Sequence, residues 1–171
     1  MKWKADMLTT TVIVETPGRT AAKYVYDAEN DGFVLVRVLP VGMILPYDFG
    51  FVPGTLAEDG DPLDAMVLSE LQTYPGCRLE CRVIGAITAT QREKLALAPH
   101  RSDFLLVVPT ASIVWANVRE LDQVPRELVD QLEYFSAGYH RMVGESFVPI
   151  ERLARDNAIR LVQASRAAAA E

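Results

Sequence analysis

Short segments of alternating or β-branched residues fill the first hundred positions of the chain, and this pattern is typical of β-strands. A stretch rich in glycine and proline at residues 40–53 interrupts them and is predicted to be a loop. The predicted strands lie at residues 10–15, 23–26, 33–39, 65–68, 77–87 and 94–98.

Apolar residues recur at helical spacing only near the end of the chain. The first predicted helix begins at Pro125, because proline is favoured in a first helical turn, and it ends near Gly138. The second begins near Pro149 and frays over residues 167–171. Many short strands followed by two helices predict an α+β, mainly β fold with a small barrel as its body.

Residues 101–117 are strongly apolar, but Pro109 prevents one continuous strand or helix there. Two interpretations stay open for this stretch, a buried part of the core and a subunit interface.

The composition sets limits on function. The 171 residues suit one domain, spanning positions 1–171, and half of them are hydrophobic. The formal net charge of −6 argues against nucleic acid or a membrane surface as a partner. Apolar runs are too short for a membrane helix, and the first residues do not resemble a signal peptide, so we expect a cytoplasmic protein.

The two cysteines, Cys77 and Cys81, are four positions apart. On one strand this separation is roughly 13 Å, and a disulfide needs Cα atoms within about 7 Å. We therefore predict two free thiols in the core.

Three aspartates, Asp59, Asp61 and Asp64, crowd the segment EDGDPLD, with Gly60 and Pro62 between them. Glycine and proline predict a tight loop, and a buried strand follows it. Neighbouring carboxylates stay ionised together only beside a cation, and oxygen ligands suit Mg²⁺ or Mn²⁺. A solvated acidic turn is the simpler interpretation.

Arg37 is the one charge in the predicted strand 33–39. The usual place for such a charge is the solvent face. Strand alternation nevertheless groups Arg37 with Phe33, Leu35 and Leu39, and a mixed face of this kind favours the wall of a site.

The segment EDGDPLD, preceded by FGFVPGTLA and followed by an apolar strand, resembles soluble inorganic pyrophosphatase of the OB-barrel type (family I). The resemblance runs in order from VIVETP and KYVYD, through PGCRLECRVIGAI and KLALAPH, to a helix ending at Tyr139. It implies a closed OB-like barrel with two C-terminal helices. It also implies a homo-oligomer, since bacterial members are commonly hexamers.

The resemblance further implies Mg²⁺-dependent hydrolysis of pyrophosphate by a water activated between metal ions. Asp59 and Asp64 match direct metal ligands. Asp61 matches the general base that orients the nucleophilic water, and it is grouped with the metal-binding residues. Phosphate-binding positions match Lys23, Arg37, Lys94 and Tyr139, and Glu15 matches an outer-shell position. Taken one by one, Glu15, Lys23, Lys94 and Tyr139 are more simply interpreted as ordinary strand-end, surface or helix-end residues. Taken together in the order of the family, they favour a site.

Several positions depart from the family pattern. Val25 replaces a glutamate, Leu45 and Phe49 replace tyrosines, and His140 replaces a lysine. Tyr47 and Asp48 are near the lost tyrosines but out of register. The acidic loop before Lys94 is shorter and reads TATQRE, so Arg92 stands where a bridging aspartate is expected. Glu93 is a possible substitute, although strand alternation points it away from the face of Lys94. At ~4 Å a misplaced cation repels a metal by about 4 kcal/mol at intermediate dielectric.

Three hypotheses follow. The protein is a divergent pyrophosphatase with fewer metals, in which Arg92 contacts phosphate directly and His140 also binds substrate. Alternatively, it is a non-catalytic relative that binds phosphate or a diphosphate. In the third hypothesis it hydrolyses a small organic diphosphate, because Val25, Leu45 and Phe49 make the pocket more apolar.

Overall fold

The fold is built on a ring of paired strands, seen in a computed structural model that describes residues 9–171. Strands β1 (Thr9–Thr16), β4 (Asp48–Phe51), β5 (Asp64–Val67), β8 (Phe104–Pro109) and β6 (Arg78–Arg92) pair in that order, and β6 pairs back to β1. The β5–β8 pair is parallel and the other pairs are antiparallel.

The remaining elements extend this ring. Strands β7 (His100–Arg101) and β9 (Ser146–Ala154) pair with the long strand β6. Strands β2 (Ala22–Asp27) and β3 (Gly32–Val38) form a separate hairpin. A short 3-10 helix (Leu121–Gln123) precedes helix α1 (Arg126–Met142), and helix α2 (Arg155–Ala169) ends the chain. None of the helices within residues 9–171 is both long and apolar enough to cross a membrane.

Two apolar clusters stabilise the fold, one on each side of the ring. Helix α2 buries Ala158 and Val162 against one cluster, and helix α1 buries Val129 and Leu132 against the other. Every residue of β8 is buried, so this part of the stretch 101–117 is core. Its later residues Ile113 and Val114 are exposed.

The predicted second helix is wrong over its first six residues, 149–154. Residues 146–154 form β9, which pairs with β6 from Gly85 to Arg92, and α2 begins only at Arg155. Pro149 lies opposite Ala89, next to a register shift. The helical spacing of the apolar residues predicted the wrong conformation, because pairing with the edge of β6 determines the conformation of this segment. No local sequence pattern reveals that edge.

Three other boundaries also differ. The predicted loop at 40–53 contains β4, in which Gly50 lies so close to β1 that an added Cβ would stand 2.0 Å from the Ile13 carbonyl oxygen. The predicted strand 94–98 belongs to the turn of a hairpin, since β6 continues to Arg92 and then pairs antiparallel with β7. Helix α1 continues through Gly138 to Met142.

The two cysteines are free, as predicted. Cys81 is fully buried in β6, whereas Cys77 precedes the strand and is half-buried.

Candidate active site

A cavity of about 630 Å³ lies between the acidic loop and helix α1. One wall is acidic, and the opposite wall carries Lys23, Tyr139 and His140. Between them lies an apolar floor. The apolar lining consists of Leu39, Leu45, Met66, Phe49, Phe104, Phe135 and Phe147.

The acidic wall is a tight turn that leads directly into β5. Gly60 has φ of +91°, which a side chain would disfavour, and the Asp59 carboxylate accepts the Asp61 backbone N–H at 3.0 Å. Asp64 is the first residue of β5 and is half-buried, whereas Asp59 and Asp61 are exposed. All three carboxylates line the cavity.

The acidic wall carries an excess of negative charge. Burial raises the pKa of Asp64 well above its ordinary value, and the charges of Glu15, Asp59 and Asp61 raise it further, while Lys23 lowers it. Burial likewise raises the pKa of Glu15, whose carboxylate accepts the Tyr26 N–H at 2.8 Å. A bound cation would relieve this repulsion.

The donor chemistry of the acidic wall fits a hard divalent cation. Carboxylate oxygens are the ligands that Mg²⁺ and Mn²⁺ prefer, and they come here from one loop and one strand end. Within residues 9–171, no three His, Cys, Asp or Glu side chains are already grouped closely enough to enclose a metal. The carboxylates of Asp59, Asp61 and Asp64 are the residues that could hold one.

A β-bulge places the two cations of the hairpin side by side. In the β2–β3 pair, Lys23 lies opposite Arg37 and Tyr24 lies opposite Leu35, so Val36 is an extra residue. The strand alternation predicted for Arg37 therefore breaks at Val36. The Arg37 guanidinium donates to the Tyr139 hydroxyl at 3.0 Å.

The basic wall centres on the ring of Tyr139, which is 6% exposed. The Lys23 ammonium lies 5.4 Å from the ring centroid, and the Arg37 guanidinium lies 5.9 Å from it. Both distances are within the range of cation–π contacts. Arg37 also approaches the Glu145 carboxylate at 3.7 Å.

The hairpin after β6 differs from expectation in which side chains face the site. Glu93 lines the cavity, and its carboxylate lies 3.5 Å from Nε2 of His100, which also lines it. Arg92 and Lys94 are exposed, and neither is among the described residues of the wall. Because the strand ends at Arg92, strand alternation does not direct Glu93 away.

Apolar side chains line the cavity at the two positions where the family resemblance implies tyrosine hydroxyls. Leu45 and Phe49 both face the cavity. Asp48 is buried elsewhere, where it accepts the Gly18 N–H at 2.6 Å, and Tyr47 packs edge-on against Trp115. Val25 is 37% exposed on the hairpin.

Sequence reasoning missed several residues that the fold brings to the site. Gln91, His100 and Ser102 line the cavity, and Glu145 lies behind it. His100 could have been suspected as one of only two histidines. Nothing in the sequence indicated a role for Glu145, because its partners Arg37 and His140 come together only through the fold.

Comparison with known proteins identifies the family. A family model described as inorganic pyrophosphatase matches residues 12–170. The chain is 35% identical over 131 residues to the inorganic pyrophosphatase of a Nostoc species, covering 77% of this chain and 74% of that relative. It is 31% identical over 155 residues to the one from Methanosarcina acetivorans, covering 91% and 89%.

The fold leads to the same family. The crystal structure of inorganic pyrophosphatase from Thermus thermophilus matches with a TM-score of 0.89 and 28% identity, covering 99% of this chain and 95% of that one. This likeness confirms the predicted α+β, mainly β fold of OB type, with its ring-like sheet and two helices. The chain therefore belongs to the inorganic pyrophosphatase family, a family of hydrolases.

Proposed function

We propose that this chain hydrolyses inorganic pyrophosphate to two phosphates with the help of Mg²⁺, for which Mn²⁺ is a possible substitute. One observation carries the proposal. In a member of this family, three aspartates lie on one wall of a cavity, and Lys23 and Tyr139 lie on the opposite wall. Carboxylates on one wall, and cationic and hydroxyl donors on the other, suit a metal-bound diphosphate.

The acidic wall would hold the metal. Asp59, Asp61 and Asp64 have the oxygen donors that Mg²⁺ requires. When bound, the cation supplies neutralisation of the phosphate charge and an acidified water. Asp61 is exposed to the cavity, so its carboxylate can accept a proton from the attacking water as a general base.

The basic wall would bind and orient the phosphates. Lys23 and Arg37 supply charged donors. The Tyr139 hydroxyl accepts from Arg37 and so keeps its own proton to donate to a phosphate oxygen. Glu15 stays an outer-shell residue in this proposal, where its charge acts on Lys23 and Asp61.

Three further residues are proposed to bind substrate. His140 lines the cavity in the place of the family's lysine. Lys94 and Arg92 are exposed at the rim, so each would turn its long side chain inwards to reach phosphate. Arg92 would then add a planar fork of donors where the family has a metal ligand.

The relatives also bear on the alternatives. They are named as inorganic pyrophosphatases, which favours hydrolysis of pyrophosphate over binding without turnover and over an organic diphosphate.

The setting of the enzyme is inferred from the family resemblance. We propose one domain over residues 1–171, a homo-oligomer that is a hexamer by analogy, and a cytoplasmic location without nucleic acid or membrane partners. The family model supports the single domain, since it spans residues 12–170. Exposed apolar side chains such as Val41, Leu97 and Ile113 offer surfaces that subunits could cover.

The test is phosphate release from pyrophosphate by the purified protein, with Mg²⁺ and separately with Mn²⁺. We expect turnover that Asp64→Ala abolishes and Asp61→Asn strongly lowers, while Asp122→Asn, at an exposed aspartate, leaves it unchanged. Release that is equal in all four proteins would contradict the proposal. Binding of pyrophosphate without release of phosphate would favour the non-catalytic hypothesis.

A further inference from the structure

His140 is held in one orientation at the edge of the cavity. It lies in the last turn of α1, and its side chain is 15% exposed. The ring stacks on Phe147 at 5.1 Å between centroids and 17° between planes, and the Tyr139 ring meets it edge-on at 5.1 Å. Two aromatic neighbours therefore fix the imidazole plane.

A backbone carbonyl fixes which ring nitrogen carries hydrogen. Nδ1 lies 2.7 Å from the Ser136 carbonyl oxygen. A carbonyl only accepts hydrogen bonds, so Nδ1 must donate, and the neutral ring carries its one hydrogen there. Nε2 then has a lone pair when the ring is neutral and a hydrogen only when the ring is charged.

Charged groups of both signs surround the ring. On the loop after α1, the Glu145 carboxylate lies 3.9 Å from Nε2, too far for a hydrogen bond, and it favours the charged ring. Lys23 of β2 and Arg37 of β3 disfavour it. Burial is the largest influence and lowers the pKa of His140, so the ring is neutral at neutral pH in the free protein.

Binding of a diphosphate would reverse this balance. Phosphate oxygens are anionic acceptors, and they repel the lone pair of a neutral Nε2. They attract a protonated Nε2 through a charge-assisted hydrogen bond and offset the charges of Lys23 and Arg37. A lysine, as expected at this position in the family, would be charged in both states and would not respond.

Building on the proposed function, we propose that His140 takes up one proton from solvent on Nε2 when a diphosphate binds, so that substrate affinity depends on pH through this imidazole. The affinity then falls by up to about tenfold for each pH unit above neutrality. The same dependence is absent when a permanently charged side chain stands at position 140.

The first test observes the ring nitrogens directly. The chain has two histidines, so ¹⁵N-labelled protein gives two imidazole patterns, which His100→Gln assigns. At about pH 7.5 we expect His140 to be neutral with hydrogen on Nδ1. Saturation with methylenediphosphonate and Mg²⁺ should protonate both of its ring nitrogens. An imidazole that stays neutral in the saturated complex would overturn the inference.

The second test measures proton uptake. Calorimetric titration with the same analogue, in buffers of different ionisation enthalpy, should show up to one more proton taken up by the native chain than by His140→Lys. Affinity should fall more steeply with rising pH in the native chain than in His140→Lys. Equal uptake in the two proteins would overturn the inference and leave the proposed function standing.

The two proposals can fail separately. If the native chain does not bind the analogue at all, the proposed function fails and this inference fails with it. If His140→Lys does not fold, His140→Gln replaces it, and it should lose the additional proton uptake and the additional pH dependence of the native chain.

Discussion

Arg37 on strand β3 and Tyr139 on helix α1 are joined by a hydrogen bond of 3.0 Å, although 102 positions separate them in the chain. The bond fixes the hairpin against the helix at the edge of the cavity. It also orients a guanidinium that Glu145 approaches from the other side. The basic wall of the site therefore exists only where two distant segments meet.

Removing the Tyr139 hydroxyl tests this relationship. Hydrogen bonds to charged groups contribute about 1.5–3 kcal/mol, so Tyr139→Phe should lower kcat/KM for pyrophosphate about 10- to 100-fold. The melting temperature should change little, because the ring remains. Tyr134→Phe on the same helix, at a side chain that is 78% exposed, is the matched control. Equal kinetics in the two variants would show that the bond does not position Arg37.

Asp64→Asn should separate stability from activity. The substitution removes a half-buried charge that Glu15, Asp59 and Asp61 repel, so the metal-free protein should melt higher, by about 2–4 °C for each kcal/mol relieved. Stabilisation by added Mg²⁺ should disappear. Hydrolysis should fall by about 100-fold or more, since a metal contributes several kcal/mol.

The measurement is thermal denaturation across a Mg²⁺ series, beside a phosphate-release assay. Asp122→Asn, at an exposed position, should change neither. A lower melting temperature for metal-free Asp64→Asn would mean that this carboxylate stabilises the fold.

Glu93 and Arg92 are adjacent in sequence but should differ in effect. Glu93 lines the cavity, so Glu93→Gln should raise the Mg²⁺ concentration needed for half-maximal hydrolysis by about tenfold. Arg92→Gln removes a cation and should not raise that concentration, whereas it should raise KM for pyrophosphate. Mg²⁺ and pyrophosphate titrations of both variants check this. The same Mg²⁺ requirement in native and Glu93→Gln protein would exclude Glu93 as the substitute carboxylate.

Glu70 makes a pH-dependent contribution to stability far from the site. The Ser112 hydroxyl at 2.7 Å and the Ile113 N–H at 2.8 Å donate to its carboxylate and lower its pKa to about 2. The unfolded chain has a value of about 4.3. The pKa of Glu70 is lower in the folded chain than in the unfolded chain. The stabilisation is therefore complete above about pH 4.3 and is lost as the pH falls towards 2.

Melting temperatures of native and Glu70→Gln protein should therefore differ most near neutral pH and converge towards about pH 2. Glu29→Gln, at an exposed glutamate in the turn between β2 and β3, should follow the native curve throughout. A constant difference between native and Glu70→Gln protein across this range would contradict the assignment.

The features that could be predicted from the sequence are the local ones. The acidic loop needs only six consecutive residues, because Gly60 sets the turn and Asp64 opens the following strand, so its three aspartates stay together at the start of that strand. Strands β1, β5 and β6 of the ring are also recoverable, since β-branched and apolar residues fill these segments of the sequence. The family resemblance rests on the same loop and supplies the mainly β fold.

Features that depend on distant partners could not be predicted locally, because they form only in the assembled fold. Residues 146–154 became a strand because β6 offers an edge to pair with, against their helical spacing. Glu93 rather than Lys94 faces the cavity because β6 ends at Arg92. Arg37, His140 and Glu145 meet through contacts between separate elements, and no local pattern carries that information.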